Sequence, residues 1–240
     1  SIIVDSGRSG IYAGLVNQSG TIRADSASVT EDGRIVLQAT KNTTLAAGSV
    51  TTANGPAGGS ITVQSGDTTL VTGTVEAKGA SGQGGTVQIL GDKVGVYGSA
   101  LVDASGNAGG GTILVGGDFQ GKNPDVQNAS ATYFGSGATL RADAGQSGDG
   151  GKVIVWADDT TRAYGTVTAR GGAQSGDGGF VEVSGKQFLD FNASVNTTAP
   201  NGNTGTLLLD PNTLNITDAL ADTGSLDGPG PTFTSPGPGS

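Results

Sequence analysis

The sequence predicts an all-β fold, a right-handed parallel β-helix of about eight coils, each of roughly 26 residues with three short strands. Three observations lead there. Glycine recurs on a beat: Gly7, Gly33, Gly59, Gly85 and Gly111 are 26 residues apart, and Gly151, Gly179 and Gly205 follow at spacings of 40, 28 and 26. A fixed period of this size marks a repeat architecture. Each beat opens a short, β-branched, largely alternating run: Ser60-Ile61-Thr62-Val63, Thr86-Val87-Gln88-Ile89, Thr112-Ile113-Leu114-Val115, Lys152-Val153-Ile154-Val155 and Phe180-Val181-Glu182-Val183. Such runs are strands. Helix signals are missing, since Met is absent, Leu and Glu are sparse, and no long window carries a 3.6-residue apolar period.

The coil beginning at Gly85 displays the plan. A first strand covers Thr86 to Leu90, and Gly91-Asp92-Lys93 turns the chain. A second strand runs from Val94 to Tyr97 and a third from Ala100 to Ala104. Ser105 to Gly110 then leads into the next coil. The third strand recurs as Gly73 to Ala77, Gly137 to Ala142 and Gly165 to Ala169, with Gly20 to Ala24 and Gly48 to Thr52 as earlier copies. Equal phase in every coil lets each strand stack on its copy, through right-handed crossovers. Apolar residues then point inward and polar ones outward. Ile61, Val87, Ile113, Val153, Val181 and Leu207 should form one ladder. Val63, Ile89, Val115, Val155, Val183 and Leu209 should form the next. With strands about 4.8 Å apart, such a stack makes a rod roughly 40 Å long whose ends expose unpaired edges.

Two segments depart from the beat. The spacing of 40 holds about fourteen extra residues, a polar loop insertion near 118–134 that includes Pro124. It is a candidate binding loop through Lys122, Asn123, Asp125 and Asn128. The second is the tail. The helix is assigned to 1–217, and 218–240 reads as a Gly/Pro-rich linker or strap.

Composition narrows the chemistry. Cysteine and histidine are both absent, which removes disulfides, thiol chemistry, histidine-based triads and most zinc sites. The formal net charge is −9 with 12 basic residues, which argues against a nucleic-acid partner. No stretch of 18 apolar residues exists to span a membrane. The chain starts at Ser1 without Met or a signal peptide, and reads as a piece of something longer.

No catalytic set and no cofactor are assigned. Asp158-Asp159 is the one adjacent acidic pair inside the repeats, and Asp92 and Asp118 occupy similar turn positions one coil apart. Asp118, Asp158 and Asp159 are the candidates for Ca²⁺ ligands or an acid/base pair. An Asp in a β-turn is also simply a good turn residue. Gly33, Gly59, Gly85, Gly111, Gly151, Gly179 and Gly205 are read as structural turn glycines. Trp156, Tyr164, Phe188 and Phe191 serve as a sugar-stacking platform or finish the core near one end. Six N-x-[ST] sequons, at Asn17, Asn42, Asn128, Asn192, Asn196 and Asn215, are candidate glycosylation points.

From Gly150 to Pro211 the motifs Gly-Gly-Lys-Val-Ile-Val-Trp-Ala-Asp, Ala-Arg-Gly-Gly, Gly-Gly-Phe-Val-Glu-Val-Ser-Gly-Lys and Gly-Thr-Leu-Leu-Leu-Asp-Pro follow in order. Gly20 to Ala24 and Gly33 to Leu37 carry related repeats. The sequence thereby resembles the bacterial exoproteins of the filamentous-haemagglutinin type, secreted by the two-partner route. The resemblance implies export through an outer-membrane β-barrel transporter, a secreted or cell-surface location, and adhesion, aggregation or biofilm roles. The leading expectation is a non-enzymatic rod segment of a fibrous adhesin with a host or matrix glycan as partner. Two alternatives stay open: a filament subunit associating head to tail, and a carbohydrate-active β-helix of lyase or hydrolase type.

Overall fold

The computed structural model describes residues 2–3, 8–26 and 33–212. Gly7, the sequon at Asn215 and the 218–240 tail lie outside the described residues. The chain is an all-β parallel solenoid of about seven turns, close to the eight coils expected. Among the described residues every strand pairing is parallel. The strands form an 8-stranded sheet and a 13-stranded one.

Three faces run along the rod. The first is built by Ser60–Ser65, Thr86–Leu90, Thr112–Val115, Lys152–Ala157, Phe180–Gly185 and Thr206–Leu208. Thr68–Val71, Lys93–Val96, Ala131–Phe134, Thr160–Ala163 and Phe188–Phe191 make the second. Along the third lie Thr21–Arg23, Val50–Thr52, Thr74–Glu76, Leu101–Asp103, Thr139–Arg141, Thr166–Thr168 and Ser194–Asn196. The expected first ladder is present, because Ile61 pairs Val87, Val87 pairs Ile113, Ile113 pairs Val153, Val153 pairs Val181 and Val181 pairs Leu207. Val63, Ile89, Val115, Val155 and Val183 form the second ladder, with Leu209 packed against the core beyond the last strand. Both ladders point into one continuous apolar cylinder.

The first two coils differ from the rest. Arg8–Gln18 and Arg34–Leu45 are long strands that serve the first and second faces without a break, and through Arg34–Leu45 those faces join into one sheet. For the second coil the reason is local: later coils turn at Gly66-Asp67 and Gly91-Asp92, whereas Ala39-Thr40-Lys41-Asn42 has no glycine to end the strand. Only a register shift between Ala13 and Leu15 marks the bend. The second strand of the Gly85 coil is Lys93–Val96, one residue earlier than its expected limits.

The marker glycines have a steric explanation. The N–H of Gly85 donates to Ala77 O, Gly111 to Ala104 O, Gly151 to Ala142 O and Gly179 to Ala169 O, closing the corner between third and first strands. A Cβ on Gly111 would stand 2.1 Å from Gly85 O, and one on Gly179 would stand 2.1 Å from Gly151 O. Backbone packs on backbone here, so no side chain fits. The alanines that accept these bonds, Ala77, Ala104, Ala142 and Ala169, and Ala53, which accepts from the Gly59 N–H, are fully buried and stack as their own column.

Threonine, expected mainly on the outside, also lines the interior. Thr43, Thr69, Thr132 and Thr161 sit buried at the inward start of the second face. Their hydroxyls donate to Gln64, Leu90, Trp156 and Ser184 carbonyls at 3.4, 2.7, 2.6 and 2.8 Å. Each clasp ties one coil to the end of the next coil's first strand.

Candidate functional site

The 40-residue spacing falls between Thr112–Val115 and Ala131–Phe134. The intervening loop does not project away. It folds back over the outer side of the first face, where Leu90, Leu114, Ile154 and Trp156 would otherwise meet water. Val126 from the loop and Phe180 complete this second apolar cluster, outside the solenoid core. Trp156 is 4 % exposed beneath it. Gly117 and Gly121 lie against the indole, and a Cβ on Gly121 would meet the ring at 2.7 Å. Gly121 also has φ of 61°, and the one helical element among the described residues, the 3₁₀ turn Phe119–Gly121, forms here.

The insertion rearranges the expected row of acids. Asp67, Asp92, Ser130, Asp159 and Gln187 occupy equivalent positions at the corner before the second strand, so Ser130 takes the place that Asp118 was expected to fill. Asp118 instead rides on the loop across the first face. Its carboxylate accepts from Lys152 Nζ at 2.6 Å, Asn123 Nδ2 at 2.8 Å and the Phe119 N–H at 2.7 Å. Partial burial alone would raise this carboxyl. The three hydrogen bonds and the Lys152 charge outweigh it and hold Asp118 below its ordinary value.

Asp158 accepts from Asn128 Nδ2 and from Trp156 Nε1, both at 3.1 Å. Thus Asp118, Asn123, Asn128 and Asp158 gather around one loop, and their polar contacts fasten it to its own rod. Lys122 donates to the Gln120 side chain at 2.7 Å, and the Asp125 N–H donates to Asn123 Oδ1 at 3.1 Å. Asp159 is exposed, and its carbonyl accepts from the Gln187 and Phe188 N–H groups. Among the described residues no group of three or more acidic side chains is arranged to hold a metal ion.

Glu182 was not singled out from the sequence. It lies on the outer side of Phe180–Gly185 and is fully buried under the loop. Burial pushes its carboxyl up, and nearby Asp210 adds to this, while the Gln120 N–H, the Ser184 hydroxyl and the Lys152 charge oppose it. The sequence signal was the outward, alternate position of a carboxylate between Val181 and Val183. What buries it arrives from 62 residues away.

The aromatic residues do not form one platform. Trp156 is capped, and Phe191 packs at the end of the core. Tyr164 belongs to a row on the second face with Tyr133 and Tyr97, at ring-centroid separations of 5.9 and 6.4 Å. Its hydroxyl donates to Asp190 at 2.6 Å, and burial together with this bond raises its pKa.

A second feature lies along the corner after the third face. A groove of about 1100 Å³ runs from Asp25 to Pro200. Its floor is a ladder of Gly55, Gly79, Gly106 and Ala144. Ion pairs line it: Glu76–Lys78 at 3.1 Å, Asp103–Arg141 at 3.6 Å and Asp143–Arg170 at 2.7 Å. The acids are sunk and the cations stand out. Asp103 and Asp143 side chains are 6 % and 8 % exposed, whereas those of Arg141 and Arg170 are 43 % and 51 %. Asp143 grips the Arg170 Nε and Nη2 groups and also accepts the Arg170 backbone N–H at 2.8 Å. Hydrogen bonding and charge from Asp143 raise the Arg170 pKa. In an acidic protein, this groove presents fixed guanidinium groups to solvent.

No protein-family model matches the chain, and no curated protein matches its sequence. Among solved structures, the chain is similar to the HMW1 secretion domain from Haemophilus influenzae, with a TM-score of 0.51 and 22% sequence identity. The likeness covers 84% of this chain and 66% of that domain, so the chain spans just under two thirds of its length. At this identity the likeness establishes a shared β-solenoid fold.

Proposed function

We propose that this chain is a rod-forming segment of a secreted bacterial exoprotein of the filamentous-haemagglutinin type, exported with an outer-membrane β-barrel transporter and acting at the cell surface in adhesion or aggregation. The observation that carries the reading is the parallel solenoid, in a fold shared with a domain described as a secretion domain. The motif run from Gly150 to Pro211 supports it independently. The role is structural and not enzymatic. Asp118 and Asp158 are engaged in fastening the loop.

The axial groove is the surface we assign to a host or matrix glycan. Its exposed Lys78, Arg141 and Arg170 offer fixed donors along one line of the rod. Two measurements test the reading. Coexpression with a two-partner transporter should deliver the chain to the medium, and equal retention with and without the transporter would refute the export half. On immobilised glycans, the chain should bind at least one polysaccharide, and Arg141→Gln with Arg170→Gln should weaken that binding about tenfold or more. Unchanged binding would remove the groove.

A filament reading has its own observation. At the last described coil Leu207 is 39 % exposed, and Leu189, Phe191 and Val195 are only partly buried. Open strand edges with apolar residues invite stacking. Concentration-dependent sedimentation would support end-to-end association, and a constant monomer would oppose it.

A further inference from the structure

The inserted loop is held by unlike means at two nearby residues, Asp118 and Gln120, and one of them is costly. Among the described residues Gln120 is the one non-glycine with positive φ, at 53°. A left-handed conformation is strained for a residue with a side chain. Its N–H points at the Glu182 carboxylate, at 3.2 and 3.3 Å from the two oxygens, and its side chain donates to Asp210 at 3.1 Å. The strained residue is therefore anchored on a carboxylate with no exposed surface. Beneath the same loop lies Trp156, the chain's one tryptophan.

We propose that the loop from Gly116 to Ser130 is a lid over Trp156, latched by Glu182, which tightens in mild acid and loosens toward neutral and alkaline pH. With the lid open, water reaches Glu182 and its pKa relaxes toward the ordinary value of 4.5. With the lid closed the value is raised. A group raised in the closed state contributes to closure below its open-state pKa, and that contribution is lost as pH climbs through the closed-state value. The protonated acid still accepts the Gln120 N–H through its carbonyl oxygen, so the hydrogen bond survives while the buried charge disappears. The charged groups facing Glu182 are Lys152 on the preceding coil, which favours its ionised form, and Asp210 beyond the last strand, which opposes it.

The other fastening has the opposite sign. Asp118, paired with Lys152, lies below its ordinary 3.8 when the lid is closed. Its contribution is complete above that ordinary value and is lost as pH falls through the depressed one. Closure is thus strongest between the two transitions. Each unit separating closed-state and open-state pKa changes the closed-to-open ratio about tenfold.

Trp156 reports the lid directly. Acrylamide quenching of its fluorescence, followed from about pH 3 to about pH 8, should pass through a minimum and rise on both sides. Glu182→Gln should abolish the rise on the alkaline side, and Asp118→Asn the rise on the acid side. Far-UV circular dichroism should show the solenoid intact throughout. A flat quenching profile in the unaltered protein, or the same alkaline rise in Glu182→Gln, overturns the proposal. If Glu182→Gln does not fold, hydrogen exchange at the Gln120 amide of the unaltered protein decides. Protection, corrected for intrinsic rates, should fall as pH rises, and constant protection overturns the lid.

Discussion

Thr132 shows how a polar residue earns a place in an apolar cylinder. Its methyl group packs inward, and its hydroxyl donates to the Trp156 carbonyl at 2.6 Å. Thr132→Val keeps the shape and removes the bond. We expect a loss of about 1 kcal/mol in urea unfolding, since an intramolecular hydrogen bond contributes roughly that much net. The marker glycines are less forgiving. Gly111→Ala would drive a methyl into the backbone carbonyl of Gly85 and should destabilise by more than about 2 kcal/mol in the same measurement. Ile113→Ala, a truncation in the middle of the first ladder, should cost about 2–5 kcal/mol. The glycine period was legible because it is a repeat of one residue type. The buried threonines were not, because Thr serves equally well on either side of a strand, and only the pairing register selects a side.

At the scale of elements, the loop between Thr112–Val115 and Ala131–Phe134 decides what the first face can do. Without it, Leu90, Leu114, Ile154 and Trp156 would form an exposed apolar stripe. Replacing residues 118–128 by a short glycine linker should leave the β-type circular dichroism intact. Trp156 emission should shift to longer wavelength, and the protein should associate at high concentration. Unchanged emission would mean that the loop does not cap the indole. The insertion was visible as a lengthened polar interval, read as a candidate binding loop. That interval did not show that Val126, Gly117 and Gly121 seat it on Trp156, or that Asp118, Asn128 and Gln120 fasten it. The surprise lies in contacts between residues 30 to 90 positions apart, which no local pattern encodes.

For the whole molecule, stability accumulates from coil to coil, since each coil touches only its neighbours. Deleting Thr86 to Gly111, one full period, should therefore yield a shorter folded rod, while deleting Thr86 to Gly98 should not fold. The half-coil deletion would bring the third strand, Leu101–Asp103, to where a first belongs and put backbone glycine corners against side chains. Circular dichroism with limited proteolysis would distinguish the two outcomes. If both deletions fold equally well, the ladders do not govern the structure.

Sequence alone determined the solenoid, its three-strand coils and the membership of both aliphatic ladders. Those properties are periodic, and period survives in a one-dimensional string. The tertiary structure decided which carboxylate is buried, which loop lies flat and which cations stand in a common groove. Asp143 and Arg170 are 27 positions apart, and Glu182 and Gln120 are 62 apart. Such neighbours are set by stacking and by the path of one insertion, so their electrostatics exist only once the coils are closed.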